Sequence, residues 1–172
     1  MQRLIQVARS RSLHITFISV AGIEDAARHL PYYRVKLECE AALESSGVAH
    51  SIVRATQFHE FANTILNTLS IGPVLLKPKM TLQPLDVRFA AQIAVEAAID
   101  ARTEPLTLAG PEMLTLGDIA RPWLRMLKLR VLQLPLPSFG PLKALATLHA
   151  VSGTMGGRRW SQWVDDQSKR SQ

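Results

Sequence analysis

Residues 19–36 read Ser19-Val20-Ala21-Gly22-Ile23-Glu24-Asp25-Ala26-Ala27-Arg28-His29-Leu30-Pro31-Tyr32-Tyr33-Arg34-Val35-Lys36, and the fold turns on this stretch. A nearly continuous apolar run, Ile15 to Val20, leads into it, and a helical pattern leaves it. The run predicts a buried strand over His14 to Val20. Gly22 to Pro31 is expected as loop, and Pro31 suits the first turn of a helix. That helix is expected over Tyr32 to Ser46, with Gly47 as its stop. His50 to Arg54, with Ser-Ile-Val at its centre, predicts a second strand. Strand, helix and strand at this spacing make a βαβ unit, which implies parallel strands and a right-handed crossover.

On a helix, Tyr32 and Lys36 share one face, one turn apart. Ser19 closes the first strand, at the end where a parallel sheet carries its ligand-facing residues. Reducing a carbonyl with a nicotinamide cofactor needs a hydride donor, a proton donor at the oxygen and a group that holds the oxygen still. A tyrosine, with a pKa of roughly 10, is a poor acid–base group at neutral pH. A nearby ammonium favours its phenolate. Ser19, Tyr32 and Lys36 are therefore the candidate catalytic residues. Ser19 would hold the oxygen and Tyr32 move the proton, while Lys36 tunes Tyr32 and contacts a cofactor ribose. The competing reading is structural: an aromatic ring and a lysine stem at helical spacing cover a core edge. Tyr33 is the rival hydroxyl, roughly 100° away around the helix.

Downstream, Gln57 to Leu69 predicts a helix with Phe58, Phe61, Ile65 and Leu69 as its apolar stripe. Val74–Leu76 and Met80–Gln83 read as short extended pieces. Asp86 is placed to cap a helix over Val87 to Ala101. Leu106–Ala109 is a short strand, and Thr115 with Asp118 forms a capping box for a helix to Leu127. Val131–Leu134 is extended, Pro135 and Pro137 mark a linker, and Leu142 to Val151 reads as helix. Gly153, Gly156 and Gly157 predict a loop. A terminal helix over Arg159 to Asp166 carries Trp160 and Trp163 on one side, and residues 167–172 fray. Short strands alternating with helices place the chain in the α/β class.

The 172 residues suffice for one sizeable core, and 47% hydrophobic with 20% charged residues is an ordinary globular balance. The net charge of +6 is dispersed, including Arg158 and Arg159, and reads as a solvated basic surface; it does not specify attraction to an anionic cofactor or to nucleic acid, and no nucleic-acid partner is expected. Cys39 is the single cysteine, which rules out an internal disulfide and a cysteine-based metal site. It is expected as a small buried residue. No metal-ligand spacing joins His14, His29, His50, His59 and His149. His59 and Glu60 are expected on a solvated helix face, and Met113 and Leu114 in the core. No apolar run reaches the roughly 20 residues of a membrane span. Residues 1–23 hold three arginines and no acid but read as helix feeding strand, so a cytoplasmic protein is expected.

Three segments together resemble the atypical short-chain dehydrogenase/reductases, most closely the NAD(P)H-binding, NmrA-like group. They are His14–Gly22 (His-Ile-Thr-Phe-Ile-Ser-Val-Ala-Gly), Pro31–Glu40 (Pro-Tyr-Tyr-Arg-Val-Lys-Leu-Glu-Cys-Glu) and Ser51–Glu60 (Ser-Ile-Val-Arg-Ala-Thr-Gln-Phe-His-Glu). Pro84–Arg88 and Gly110–Thr115 look like the same group. The resemblance implies an incomplete Rossmann-like parallel sheet with flanking helices and a small C-terminal substrate-side region. Residues 1–85 would be the C-terminal part of an NAD(P)-binding domain, and residues 86–172 the remaining sheet elements and the helical substrate side. It implies NADP or NAD as cofactor, Tyr32 as acid/base, Lys36 as its partner and Ser19 as the orienting serine. Ala55, Thr56, Gln57 and Phe58 would lie along the nicotinamide. A small molecule is the implied substrate. The sequence departs from the family pattern in having no Gly-x-x-Gly-x-x-Gly or Gly-x-Gly-x-x-Gly run to hold the pyrophosphate. Ala55-Thr56 replaces the commoner Pro-Gly, and Phe89 replaces the usual acid. The chain thus looks like the C-terminal part of such a protein, with an exposed sheet edge open to self-association. A non-catalytic NAD(P)-sensing or assembly protein is the alternative.

Overall fold

The computed structural model describes residues 1–137, 143, 145, 148–150 and 152–170. In chain order its elements are α1 (Gln2–Arg11), β1 (Ile15–Val20), α2 (Ile23–Ala27), α3 (Pro31–Glu44), β2 (His50–Ala55), α4 (His59–Leu69), β3 (Ser70–Ile71), β4 (Val74–Pro78), β5 (Thr81–Leu82), α5 (Val87–Ile99), β6 (Leu106–Ala109), β7 (Leu114–Thr115), α6 (Leu116–Met126), β8 (Leu132–Leu136), β9 (Thr154–Met155) and α7 (Trp160–Arg170). The main sheet runs β1-β2-β6-β9, every pairing parallel. The register places Ser19 opposite Arg54 and Val20 opposite Ala55. The chain is therefore α/β, and the expected βαβ unit is β1–α3–β2. Two small sheets, β3-β4-β8 and β5-β7, lie on the C-terminal side.

Local signals explain most boundaries. Pro31 opens α3 in its first turn. The Asp86 side chain accepts from the Arg88 N–H as N-cap of α5. Thr115 and Asp118 close the capping box of α6. The largest core cluster buries Leu66, Leu75, Leu82, Ile119, Trp123 and Trp160 between α4, α6, α7 and the small sheets. A second cluster, Val53, Leu85, Ala90 and Leu108, packs α5 under β2 and β6.

Several expectations change. The first strand is an edge strand, so Ile18 remains 39% exposed instead of buried. The expected loop after Gly22 contains the short helix α2, because Ile23, Ala26 and Ala27 find burial against Tyr33 and Leu148. On α4 the buried face is His59, Ala62, Ile65, Leu66 and Leu69, which keeps Ile65 and Leu69 of the expected stripe, while Phe58 is half-buried and Phe61 exposed. Thr154–Met155 within the glycine-rich loop pairs with β6. Pro135, expected in a linker, lies in β8 opposite Lys77. Met113 is exposed and Cys39 half-buried. α7 continues through the stretch expected to fray, to Arg170. Of the helix expected over 142–151, described residues 143 and 145 are helical and 148–150 are not, and the rest lies outside the described residues. Residues 171 and 172 also lie outside them.

Two polar features lock the C-terminal segment. Arg158 donates to Asp86 Oδ2 at 2.5 Å and to Asp166 Oδ2 at 2.7 Å, so it is no solvated cation. Gly157 makes this approach possible: its φ is 84°, and a Cβ there would lie 2.7 Å from the Asp86 Cβ. His59 is fully buried, not solvated, against the stacked rings of Trp160 and Trp163, at 5.8 and 5.6 Å between ring centroids. Neither of its ring nitrogens has a hydrogen-bond partner among the described residues.

Burial pushes the His59 pKa down to about 4, with Arg158 acting in the same direction and Asp86 opposing. Because the folded value lies below the unfolded 6.5, the unfolded chain binds the extra proton. Stability is then complete above that unfolded value and declines by about 3 kcal/mol as the pH falls to the folded one. Melting temperatures measured from pH 4 to pH 7 should show this slope, and His59→Phe should remove it whatever its effect at neutral pH.

Candidate active site

The carboxyl ends of β1 and β2 open on a cavity of about 380 Å³. Ser19, Val20, Tyr32, Tyr33, Ala55, Thr56, Gln57, Phe58, Phe61 and Leu148 line it. All the residues expected at the site except Lys36 therefore meet in one cavity. This is the position that parallel α/β sheets give to ligands.

Ser19 is 2% exposed, and its Oγ has no hydrogen-bond partner among the described residues. A buried hydroxyl without a partner costs stability, because its water is lost and nothing replaces it. Ser19→Ala is accordingly expected to raise stability by about 1 kcal/mol, a gain of about 3 °C in melting temperature. Scanning calorimetry reads it directly, and a destabilised variant would mean that the hydroxyl has a structural partner.

α3 supplies the two tyrosines. Tyr32 is 61% exposed at the rim and Tyr33 is buried, and both border the cavity. Their rings meet edge-on, with centroids 5.2 Å apart. Burial, reinforced by Tyr32, raises the Tyr33 pKa above its ordinary value and keeps that hydroxyl neutral. Lys36 stands one turn further on, where its Nζ donates to the Ile18 carbonyl at 2.8 Å. It also lies 4.7 Å from the centre of the Phe17 ring and 5.9 Å from that of Tyr32. Ile15 N–H donates to the Ala49 carbonyl just before β2 and Ala21 N–H to the Ala55 carbonyl at its end, so Thr16, Ile18 and Val20 turn their backbone groups to the open edge. The Lys36 ammonium thus both caps that edge and sits beside Tyr32.

Arg54 braces the tyrosine helix against the sheet. Its guanidinium reaches Glu40 Oε2 of α3 at 2.5 Å and Glu24 Oε1 of α2 at 2.9 Å, and Glu40 is buried. The pairing has no sequence signature, since the partners lie 14 and 30 positions away.

The turn after β2 forms the floor. Thr56 Oγ1 accepts from the Gly110 N–H at 3.1 Å. The Gln57 amide donates to the Leu148 carbonyl and accepts from the Gln83 N–H at 2.9 Å. Gln83 in turn donates to the Gly110 carbonyl and accepts from the Ala150 N–H. Thr56 and Gln57, expected to face a cofactor, thus spend these polar atoms joining β2, β6 and the 148–150 segment. Gln83 was not foreseen, and its burial is the structural sign of this role.

A separate cavity of about 500 Å³ lies between Lys77, Lys79, Thr115 and Pro135, away from Ser19. Among the described residues no group of acids, histidines and cysteines has the arrangement of a metal site.

No family model and no curated protein matches the chain. Solved structures do. A dTDP-4-dehydrorhamnose reductase from Clostridium acetobutylicum matches with a TM-score of 0.66 and 17% identity, over 80% of this chain and 56% of that one. An NADPH-dependent quinone oxidoreductase from Escherichia coli matches with a TM-score of 0.66 and 16% identity, over 95% and 70%. A short-chain dehydrogenase/reductase superfamily protein from Agrobacterium tumefaciens, with NAD bound, matches with a TM-score of 0.60 and 13% identity, over 92% and 67%. The chain shares the Rossmann-like α/β fold of these structures. The chain spans little more than half the length of the first of these structures. Among the described residues no helix is long and apolar enough to cross a membrane.

Proposed function

We propose that the chain carries the carbonyl-reducing site of an NAD(P)-dependent oxidoreductase of the atypical short-chain type. The observation that supports this reading best is the buried, unpartnered Ser19 hydroxyl at the carboxyl end of a parallel strand, in a cavity shared with Tyr32. The nicotinamide cofactor, NADP or NAD, supplies the hydride when bound. Ser19 holds the carbonyl oxygen by donating a hydrogen bond, and the Tyr32 hydroxyl delivers a proton to that oxygen. Lys36 serves the site from the β1 edge, close to the Tyr32 ring. Ala55 and Phe58 offer the apolar wall for the nicotinamide, while Thr56 and Gln57 hold the floor in place. The cofactor end of the cavity fits this chemistry. A cradle for the pyrophosphate is not among these residues, and we assign it to a glycine-rich strand–turn–helix beyond them. Residues 1–85 then belong to the cofactor side and residues 86–172 to the substrate side of a cytoplasmic enzyme.

Titrating the chain with NADPH and NADH by calorimetry tests the cofactor reading, and absence of heat with both would remove it. Tyr32→Phe is expected to lower any reductase turnover by about 10² to 10⁴-fold. Unchanged turnover would make Tyr32 structural.

A second reading is favoured by Lys36, which is bonded to Ile18 and does not line the cavity. In it the chain binds NAD(P) without catalysis, as a sensor or assembly protein. The open β1 edge beside the apolar groove of Ile18, Phe58, Ala91, Ala94 and Val95 then takes a further strand or a second copy of the chain. Sedimentation of the purified chain distinguishes a monomer from a self-associated form.

A further inference from the structure

We infer that the substrate of this site is a planar, largely apolar carbonyl compound and not a sugar or a sugar nucleotide. The inference rests on the reading of the cavity as a carbonyl site and adds the substrate class. Its basis is the stock of hydrogen-bonding groups that the lining residues leave free.

A sugar presents a hydroxyl at nearly every carbon, and each must exchange its water for a protein partner on entering a buried site. A site built for such a substrate carries a matching set of free donors and acceptors. Here the lining amide is already committed, and the threonine oxygen already accepts a backbone N–H. Gln57 holds the Leu148 carbonyl and the Gln83 N–H, and Thr56 Oγ1 takes the Gly110 N–H. The other buried polar groups of the described lining are the hydroxyl of Ser19, which has no partner among the described residues, and that of Tyr33. Tyr32 adds a third hydroxyl at the rim. Most of the wall is carbon, with the aromatic rings of Tyr32, Tyr33, Phe58 and Phe61 dominating it. Aromatic faces and edges recognise flat apolar rings. With few hydroxyls and a wall that is mostly aromatic carbon, the described lining suits a carbonyl on an apolar ring system better than a sugar with a hydroxyl at nearly every carbon.

The test uses three probes added to the isotope-labelled chain: 1-tetralone, a flat aromatic ketone; tetralin, the same skeleton without the carbonyl; and UDP-galactose. Amide shifts of Ser19–Ala21 and Thr56–Phe58 report the cavity. 1-Tetralone is expected to move these amides saturably, and Ser19→Ala to weaken it about tenfold, the worth of one hydrogen bond. Tetralin should bind the wild type and Ser19→Ala equally, which separates the carbonyl contact from packing. UDP-galactose should leave the amides unmoved. If UDP-galactose moves them in a Ser19-dependent way and 1-tetralone does not, the substrate class is wrong and the carbonyl site stands. If no probe moves them, or if the 1-tetralone affinity ignores Ser19, the reading of the cavity falls with it.

Discussion

Arg158→Ala is expected to lower the folding free energy by about 3 kcal/mol and the melting temperature by about 10 °C at neutral pH. The reason is the partner it leaves behind. Asp86 is 4% exposed and meets Arg158 through both carboxylate oxygens, at 2.5 and 3.3 Å. Burial alone would push the Asp86 carboxyl up. The Arg158 hydrogen bonds and charge, with the Arg88 and Arg158 backbone N–H groups, reverse this and hold it at about 2, below its ordinary 3.8. The folded value lies below the unfolded one, so the contribution is complete above the unfolded value and is lost as the pH falls through the folded one. Without Arg158 the carboxylate is buried and unpaired, and the loss with acid begins at higher pH. The double variant Asp86→Asn/Arg158→Ala keeps an N-cap for α5 and removes the charge, so it should recover part of the loss. Urea titrations of the wild type and the two variants from pH 3 to pH 7 measure this. A single variant as stable as the wild type would show the pair to be incidental.

Gly110→Ala is the second large effect, expected at about 3 kcal/mol. A Cβ at this position would stand 1.9 Å from the Pro84 carbonyl oxygen and 2.5 Å from its carbon, both backbone atoms that no rotamer change can clear. The chain must separate there, and the separation breaks the bond from the Gly110 N–H to Thr56 and the bond from Gln83 to the Gly110 carbonyl. These two bonds hold the floor of the cavity. The variant should therefore lose ligand binding along with stability, whereas Gly47→Ala, with nothing within 4 Å of its added Cβ, should pay only for its positive φ. Thermal melts of the two variants side by side separate close packing from backbone conformation.

What could be read from the residues was local. The β1–α3–β2 unit, the Pro31 start, the Asp86 cap and the Thr115–Asp118 box each depend on neighbours within a few positions. Periodicity and capping chemistry carry that information. Ser19 and Tyr32 could be placed at one cavity because a βαβ unit fixes where a strand end and the following helix meet. The unforeseen features join distant segments. Arg158 finds Asp86 across 72 positions, and Gln57 finds Leu148 across 91. β9 is a two-residue strand whose pairing with β6 decides its conformation. His59 looked solvated because it begins a helix with a polar start, yet Trp160 and Trp163 from the far end of the chain cover it. Lys36 was placed on the correct face, but its bond to Ile18 depends on β1 being an edge, which no local pattern reveals.

The central claim is that the Ser19–Tyr32 cavity receives the reacting end of a nicotinamide cofactor and its carbonyl partner. The most direct test is the amide-shift map of the chain on addition of NADPH. The shifts are expected to concentrate at Ser19–Ala21, Tyr32–Tyr33 and Ala55–Phe58, and to weaken in Tyr32→Phe. Saturable shifts confined to other segments, or none at all, would contradict the claim.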